Sequence, residues 1–403
     1  MESATFIVMY LAERIQVKKS PELSLLCHRA KNLYNLGNWL VRQDYFHLGN
    51  ILSYYDLCFM CNDSPEFRVL PAQTAQQVLR LVAQNWKAYF RAKAEYRKVP
   101  GKFLGSPRPP KYKVKGGECV ATFTRQQCQV RDRFLYFPKN AGLQPLKVRA
   151  SVASLHQVRV LPRGECYVVE AIYERAAEDL ELDKQRAIGV DIGVANLATI
   201  AGNAGQVPFI AKGGAAKSVN HFFNKKLAEL RSIAKVENHR ETTRRIRRLC
   251  RKRDNKVRDI FHKVSRYIVN YCIRNNVGTI AVGYNPGWKQ HSNMGCRANQ
   301  AFVQLPFRAL VSQIEYKAAL VGITTILVEE GYTSRCSAVD GEEVGRHARY
   351  AGKRVSRGLF QTQAGKKINA DVNGAYNILR QAVPEALADG IQDAGLHPVV
   401  ATI

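Results

Sequence analysis

A lone carboxylate interrupts a stretch that otherwise reads as buried strand. Residues 187–200 run AIGVDIGVANLATI, and Asp191 is the one charge among them. Small and β-branched residues bounded by glycine are the pattern of a strand packed on both faces. A charge in that setting must be paired, bound to a metal, or costly. A second acid has similar surroundings: Asp371, in INADVNGAYNI over 368–378. Two aspartates so far apart in the chain, each ringed by small residues, suggest one metal site assembled by folding.

The 403 residues suffice for a sizeable core and two or three domains. Apolar residues make up 46%, which excludes a disordered chain. Lys and Arg number 61 against 33 acids, a formal net charge of +28. That excess repels itself unless a polyanion neutralises it, and nucleic acid is the obvious partner. The start, Met1-Glu-Ser-Ala-Thr, lacks the basic and apolar segments of a signal peptide, and no apolar stretch is long enough to span a bilayer. Ten scattered cysteines fit a reducing compartment. A cytoplasmic, prokaryotic protein with no membrane partner is the expectation.

Residues 4–16 read as a first strand, and 22–48 as a helix with Leu25, Ala30, Leu33, Leu36, Leu40 and Tyr45 along one side. Pro71 opens another helix with Ala75, Val78, Val82, Trp86 and Phe90 inward and Lys87, Arg91, Lys93 and Arg97 outward. Short strand-like runs at 118–124, 127–131, 134–138, 156–161 and 165–174 suggest a small barrel or meander, and 175–186 a linker. From 187 the pattern becomes α/β. A basic helical stretch over about 216–275 carries Arg244, Arg245, Arg247, Arg248, Arg251, Lys252 and Arg253 with few acids to offset them, which predicts a nucleic-acid contact. Strand 278–284, a helix from Pro306 to Gly322 and strand 323–329 make a right-handed parallel crossover. A hairpin followed by such a crossover, with an acid on the first strand, describes the ribonuclease-H-like fold. The class is α/β plus α+β.

Phosphodiester hydrolysis by two Mg²⁺ ions needs carboxylates that bridge or flank metals roughly 3.5–4 Å apart, and hard oxygen ligands suit that ion. Asp191 can bridge and Asp371, at the start of a helix over 372–382, can flank; the plain alternative for Asp371 is a helix cap. A third carboxylate is harder to place, because strand 278–284 continues as Gly283-Tyr-Asn. The next strand ends in Glu329-Glu330, whose side chains point to opposite sides, so at most one faces the metals. Glu330 is preferred, where the chain leaves the strand and can bend, with Glu329 as the alternative.

Asp191, the Glu330 region and Asp371 together resemble the three motifs of the RuvC nuclease domain in TnpB proteins, transposon-encoded RNA-guided DNA nucleases related to the compact type V CRISPR effectors. The segments LPAQTAQQ (70–77), WKAYF (86–90), VGYNPGWKQ (282–290), NQAF (299–302), EEGYTS (329–334) and GKRVSRG (352–358) carry the same resemblance. They point to a subgroup in which the usual second-motif glutamate is relocated, which would account for Gly283. The resemblance implies a wedge-like β-barrel over 1–20 and 115–180 and a helical recognition insertion over 21–114. It implies a RuvC-like nuclease domain over 187–330 and 366–403, and a target-binding insert over 331–365. Most of the family holds zinc between two Cys-x-x-Cys pairs in that insert; here only Cys336 remains, so no zinc is expected, and Arg346, Arg349, Lys353, Arg354 and Arg357 would contact nucleic acid instead. Lys289 would do likewise, and Trp86 and Trp288 are candidate stacking surfaces. The implied activity is cleavage of double-stranded target DNA beside a short flanking motif, directed by a guide RNA, with Asp191, Glu330 and Asp371 as catalytic metal ligands. A guided DNA binder without cleavage, acting as a repressor, and an unguided structure-specific nuclease are the alternatives. Oligomeric state is not legible.

Overall fold

The computed structural model describes residues 8–149, 154–238, 241–285, 287, 295–356, 358–387, 390–391 and 397–401. The chain divides into two compact units, one formed by Val8–Arg175 and the other by Met1–Ile7 with Ala176–Ile403.

The first unit joins a four-stranded sheet to a set of helices. Strand β1 (Val8–Lys18) leads into helix α1 (Pro21–Gln43), whose Ser20 cap accepts from Leu23 N and whose first residue is proline. α1 ends at Gln43 and passes into a π-helical turn, Asp44–Leu48, rather than running on as one helix to residue 48. Its inward face is Leu23, Leu26, Ala30 and Leu33, while Leu25, expected inside, is exposed. Short helices α2 (Tyr54–Cys61) and α3 (Pro65–Arg68) connect to α4 (Ala72–Lys98). Trp86 of α4 is buried and donates to Asn38 Oδ1 of α1 at 2.9 Å, so this ring belongs to the core and offers no stacking surface. Strand β2 (Ala121–Thr124) follows, then the small sheet β3 (Gln129–Arg131), β4 (Phe134–Tyr136) and β5 (Leu146–Lys147). β6 (Leu155–Pro162) and β7 (Cys166–Ala176) complete the larger sheet, in the order β1-β7-β6-β2.

The second unit is built on a six-stranded sheet. Its strands are β8 (Ala187–Asp191), β9 (Asn196–Gly202), β10 (Phe209–Lys212), β11 (Thr279–Gly283), β12 (Thr324–Val328) and β16 (Val399–Ala401), in the order β12-β11-β8-β9-β10-β16. β9 runs antiparallel to both β8 and β10, whereas β11 lies parallel to both β8 and β12. The basic stretch forms two helices, α5 (Gly214–Asn238) and α6 (Arg244–Arg274), instead of one. α7 (Cys296–Gln304) and α8 (Phe307–Ala319) lead into β12. A small antiparallel sheet, β13 (Lys353–Ser356), β14 (Leu359–Gln361) and β15 (Lys367–Asn369), ends directly in α9 (Ala370–Ala382).

α9 crosses the sheet at β8, and both elements are shaped for close approach. Gly189 on β8 faces the α9 backbone: a Cβ there would run into the carbonyl oxygen of Ala375 and stand 2.9 Å from its carbonyl carbon. Side chains alternate along a strand, so Asp191, two residues on, points to the same side as Gly189. On α9, Ala375, Ile378 and Leu379 are fully buried against the sheet. The glycine therefore sets how near the acid on the strand comes to the helix. Among the described residues, no helix is long and apolar enough to cross a membrane.

Candidate active site

Asp191 is the last residue of β8, paired with Thr199 of β9. Its carboxyl abuts the first turns of α9, where a Cβ on Gly374 would stand 2.8 Å from Asp191 Oδ2. Asp371 sits in the first turn of α9 but does not cap it. Asn369 is the cap, accepting from the backbone N–H of Asp371 at 2.9 Å and of Val372 at 3.1 Å. The plain cap alternative therefore fails, and the Asp371 side chain is free for other partners. It has two: Asn196 donates to Asp371 Oδ2 at 2.6 Å, and the Arg354 guanidinium of β13 lies 3.7 Å from Oδ1.

Glu330 arrives from the end of β12. The β11–β12 ladder continues past Gly283 through Tyr284 N to Val328 O, and Asn285 then accepts from the backbone N–H of Glu330 at 2.7 Å. These bonds bend the chain so that the Glu330 side chain reaches over the end of β11, while Glu329 is exposed. Glu330 Oε1 is buried and has no hydrogen-bond partner. Burial raises the Glu330 carboxyl to about 8, helped by the neighbouring Asp191 charge. Asp191 is raised to about 7, chiefly by burial, then by the Asp371 charge, with Arg354 pulling the other way. In both acids burial comes first and the charge of a neighbouring carboxylate second.

The trio is adjacent without being closed. Among the described residues, no three His, Cys, Asp or Glu side chains are drawn tightly enough together to hold a metal ion. Asn196 and Arg354 engage Asp371, and the Asp191 charge bears on Glu330. Asn196 and Arg354 were not anticipated in these roles. Asn196 was findable, as a polar side chain in the same apolar run as Asp191. Arg354 was expected to touch nucleic acid, and nothing in sequence spacing pairs it with Asp371.

Of the other basic residues singled out, Arg244, Arg245, Arg247, Arg248 and Lys252 lie exposed on α6, and Arg251 is half-buried. Arg253 turns inward instead. It donates to Asn220 Oδ1 at 2.8 Å and to the carbonyl of Gln304, and stacks over Phe223, so it ties α6 to α5 rather than facing a ligand. Lys289, Arg357 and Trp288 lie outside the described residues.

Comparison with known proteins follows this geometry. The family model OrfB_IS605, described as "Probable transposase", matches residues 169–289, and the Cas12f1-like TNB domain matches 307–378. The TnpB-like protein ORF457 of Acidianus two-tailed virus is 27% identical over 207 residues, 49% of this chain and 42% of that protein. Over these segments the chain is similar to TnpB-family proteins. The CRISPR-associated endodeoxyribonuclease Cas12f1 of Sulfoacidibacillus thermotolerans is 29% identical over 133 residues, 32% of this chain and 28% of the relative. The matches thus span less than half the length of these curated relatives. Among solved structures, a Cas12f1–sgRNA–target DNA complex aligns with 88% of the chain and 81% of the other, at 17% identity and a TM-score of 0.54. The mini-RNA-guided endonuclease CRISPR-Cas_phi3 aligns with 93% of this chain and 92% of its own, at 8% identity and a TM-score of 0.50. At such identities these two likenesses speak to the fold alone.

Proposed function

We propose that this chain is a TnpB-type, RNA-guided DNA endonuclease whose second unit is a ribonuclease-H-like, RuvC-type nuclease. The observation that carries the reading is Glu330 Oε1, buried without a partner beside the Asp191 carboxyl. An orphaned carboxylate oxygen is costly unless a cation completes it. All three acids offer hard oxygens, which fits Mg²⁺ and excludes a soft-metal site. Asp191, Glu330 and Asp371 would hold two such ions.

A bound pair of Mg²⁺ ions supplies polarisation of the scissile phosphate and neutralisation at the leaving oxygen. The side chains do the rest. Asn196 fixes one oxygen of Asp371 by donating to Oδ2, leaving Oδ1 turned toward the charge of Arg354. Arg354 thereby places a permanent cation at the rim of the acid cluster, where a phosphate enters. The close β8–α9 packing at Gly189 keeps Asp191 and Asp371 in register.

The first turn of α6 supports a polyanionic partner independently. Four arginines, 244, 245, 247 and 248, crowd a helix N-terminus with no acid among them. The helix dipole disfavours cations there, so the arrangement is self-repelling in isolation and relieved by phosphates. A guide RNA and target double-stranded DNA fit this charge, since base pairing would read the sequence and the protein would supply shape and cations. The endodeoxyribonuclease relative supports the DNA-cleaving part of this reading.

The test expresses the chain beside its native flanking DNA and sequences RNA that co-purifies. That complex is then incubated with DNA matching the retained RNA, placed beside randomised flanks, in Mg²⁺. Cutting by the wild type and not by Asp191→Asn is expected. Retained RNA and bound but intact DNA would favour a guided binder, the reading consistent with Asp371 being engaged by Arg354 and the trio not closed. No retained RNA would leave an unguided nuclease.

A further inference from the structure

Gly283 ends β11 at the edge of the acid cluster. A Cβ built on it would collide with Glu330 Oε1, and would stand 2.7 Å from Glu330 Cγ and 2.6 Å from Ile378 Cδ1. The volume of the missing side chain is therefore filled by a carboxyl that belongs to the neighbouring strand. The glycine is not there for its backbone, because residue 283 is regular strand paired with Val328 and has no positive φ. Nor does it admit a close main chain, as Gly189 does; every obstructing atom is the outer part of a flexible side chain. Since Glu330 Oε1 makes no hydrogen bond, nothing else anchors that carboxyl oxygen.

We infer that Gly283 is a positioning residue that works by vacancy: its absent side chain admits the Glu330 carboxyl beside Asp191, and any side chain there ejects it. The inference rests on the acid cluster being a divalent-cation site. It has two consequences that a packing glycine would not share. Enlarging residue 283 is tolerated by the fold, because the two obstacles are the ends of flexible side chains: Glu330 swings into solvent and the Ile378 Cδ1 methyl turns aside, yet a cation ligand is lost. A short acid at 283 can also stand in for Glu330, since its Cβ would already occupy the place of the Glu330 carboxyl.

The experiment titrates Mn²⁺ into the full chain and reads free Mn²⁺ by electron paramagnetic resonance, with thermal melting measured with and without Mn²⁺. Glu330→Gln and Gly283→Ala should each weaken Mn²⁺ binding about tenfold or more, the usual cost of disturbing a metal site. Gly283→Ala should keep the metal-free melting temperature of the wild type. Gly283→Asp combined with Glu330→Ala should bind Mn²⁺ more tightly than Glu330→Ala alone. If Glu330→Gln weakens binding but Gly283→Ala does not, the vacancy is irrelevant and the inference falls while the site stands. A Gly283→Ala chain that melts early without Mn²⁺ marks a packing glycine and also overturns it. If Glu330→Gln binds as the wild type does, the cation-site reading fails and takes the inference with it.

Discussion

Gly189→Ala tests whether the spacing between β8 and α9 governs the acid cluster. The added methyl would meet the carbonyl oxygen of Ala375 and would lie 2.9 Å from its carbonyl carbon and 3.0 Å from Leu379 Cβ. Ordinary carbon–carbon contact lies near about 3.7 Å, so strand and helix must part by roughly 0.8 Å. The obstacle is main chain of a buried helix, so no rotamer change relieves it. Overpacking of this kind costs about 1–3 kcal/mol, which in a unit of this size lowers the melting temperature by roughly 3–9 °C. The larger effect falls on chemistry, because Asp191 and Asp371 ride on the two elements that separate. A misplacement near 1 Å can cost on the order of 100-fold in rate. Thermal melting and single-turnover cleavage of guided target DNA read the two effects, with Gly214→Ala, whose Cβ would meet nothing within 4 Å, as the control. Cleavage at the wild-type rate by Gly189→Ala would refute the reasoning.

Lys317 of α8 is buried, with Nζ donating to the His262 carbonyl at 2.7 Å and to Ser265 Oγ at 2.6 Å. Burial, then repulsion from Arg266, lowers its pKa from 10.5 to about 8. Between those values the unfolded chain holds a proton that the folded chain has lost, so stability rises with pH. At about 1.4 kcal/mol per pH unit the rise amounts to roughly 3 kcal/mol, and it should vanish in Lys317→Met when urea unfolding is followed from pH 7.5 to 10.5. Asn369→Ala should cost about 1 kcal/mol as a lost cap, whereas Asp371→Asn should change urea stability by less than about 0.5 kcal/mol. Replacing Arg244, Arg245, Arg247 and Arg248 by Gln should flatten the dependence of log affinity on log salt by about 3 if each arginine meets a phosphate. Filter binding between 50 and 400 mM salt reads that slope, and an unchanged slope places the nucleic acid elsewhere.

Local chemistry made much of the second unit legible. The run around Asp191 is apolar on both faces because α9 covers one side of β8 while Ile188 and Val190 join the core shared with α6 and α8, and Pro306 and Gly322 bracket the crossover helix for reasons internal to the backbone. Elements were misjudged where a neighbour decides the outcome. For Asp371 a cap is the plain alternative in sequence, because Asp commonly caps, but Asn369 takes the free N–H groups. Leu25 fits the helical stripe by spacing yet lies on the open side of α1. Arg253 reads as one more cation in a basic run, and only the approach of Asn220 and Phe223 turns it inward. Gly283 carries no periodic signal at all: its meaning lies in a side chain 47 positions further along, which no spacing rule connects to it.

The cap on α9 has an evolutionary corollary. Because an amide at 369 secures the helix start, the carboxylate at 371 is surplus to folding. A single nucleotide change at that codon would silence any chemistry there and leave the architecture standing, so descendants that retain the framework without the reaction are one step away.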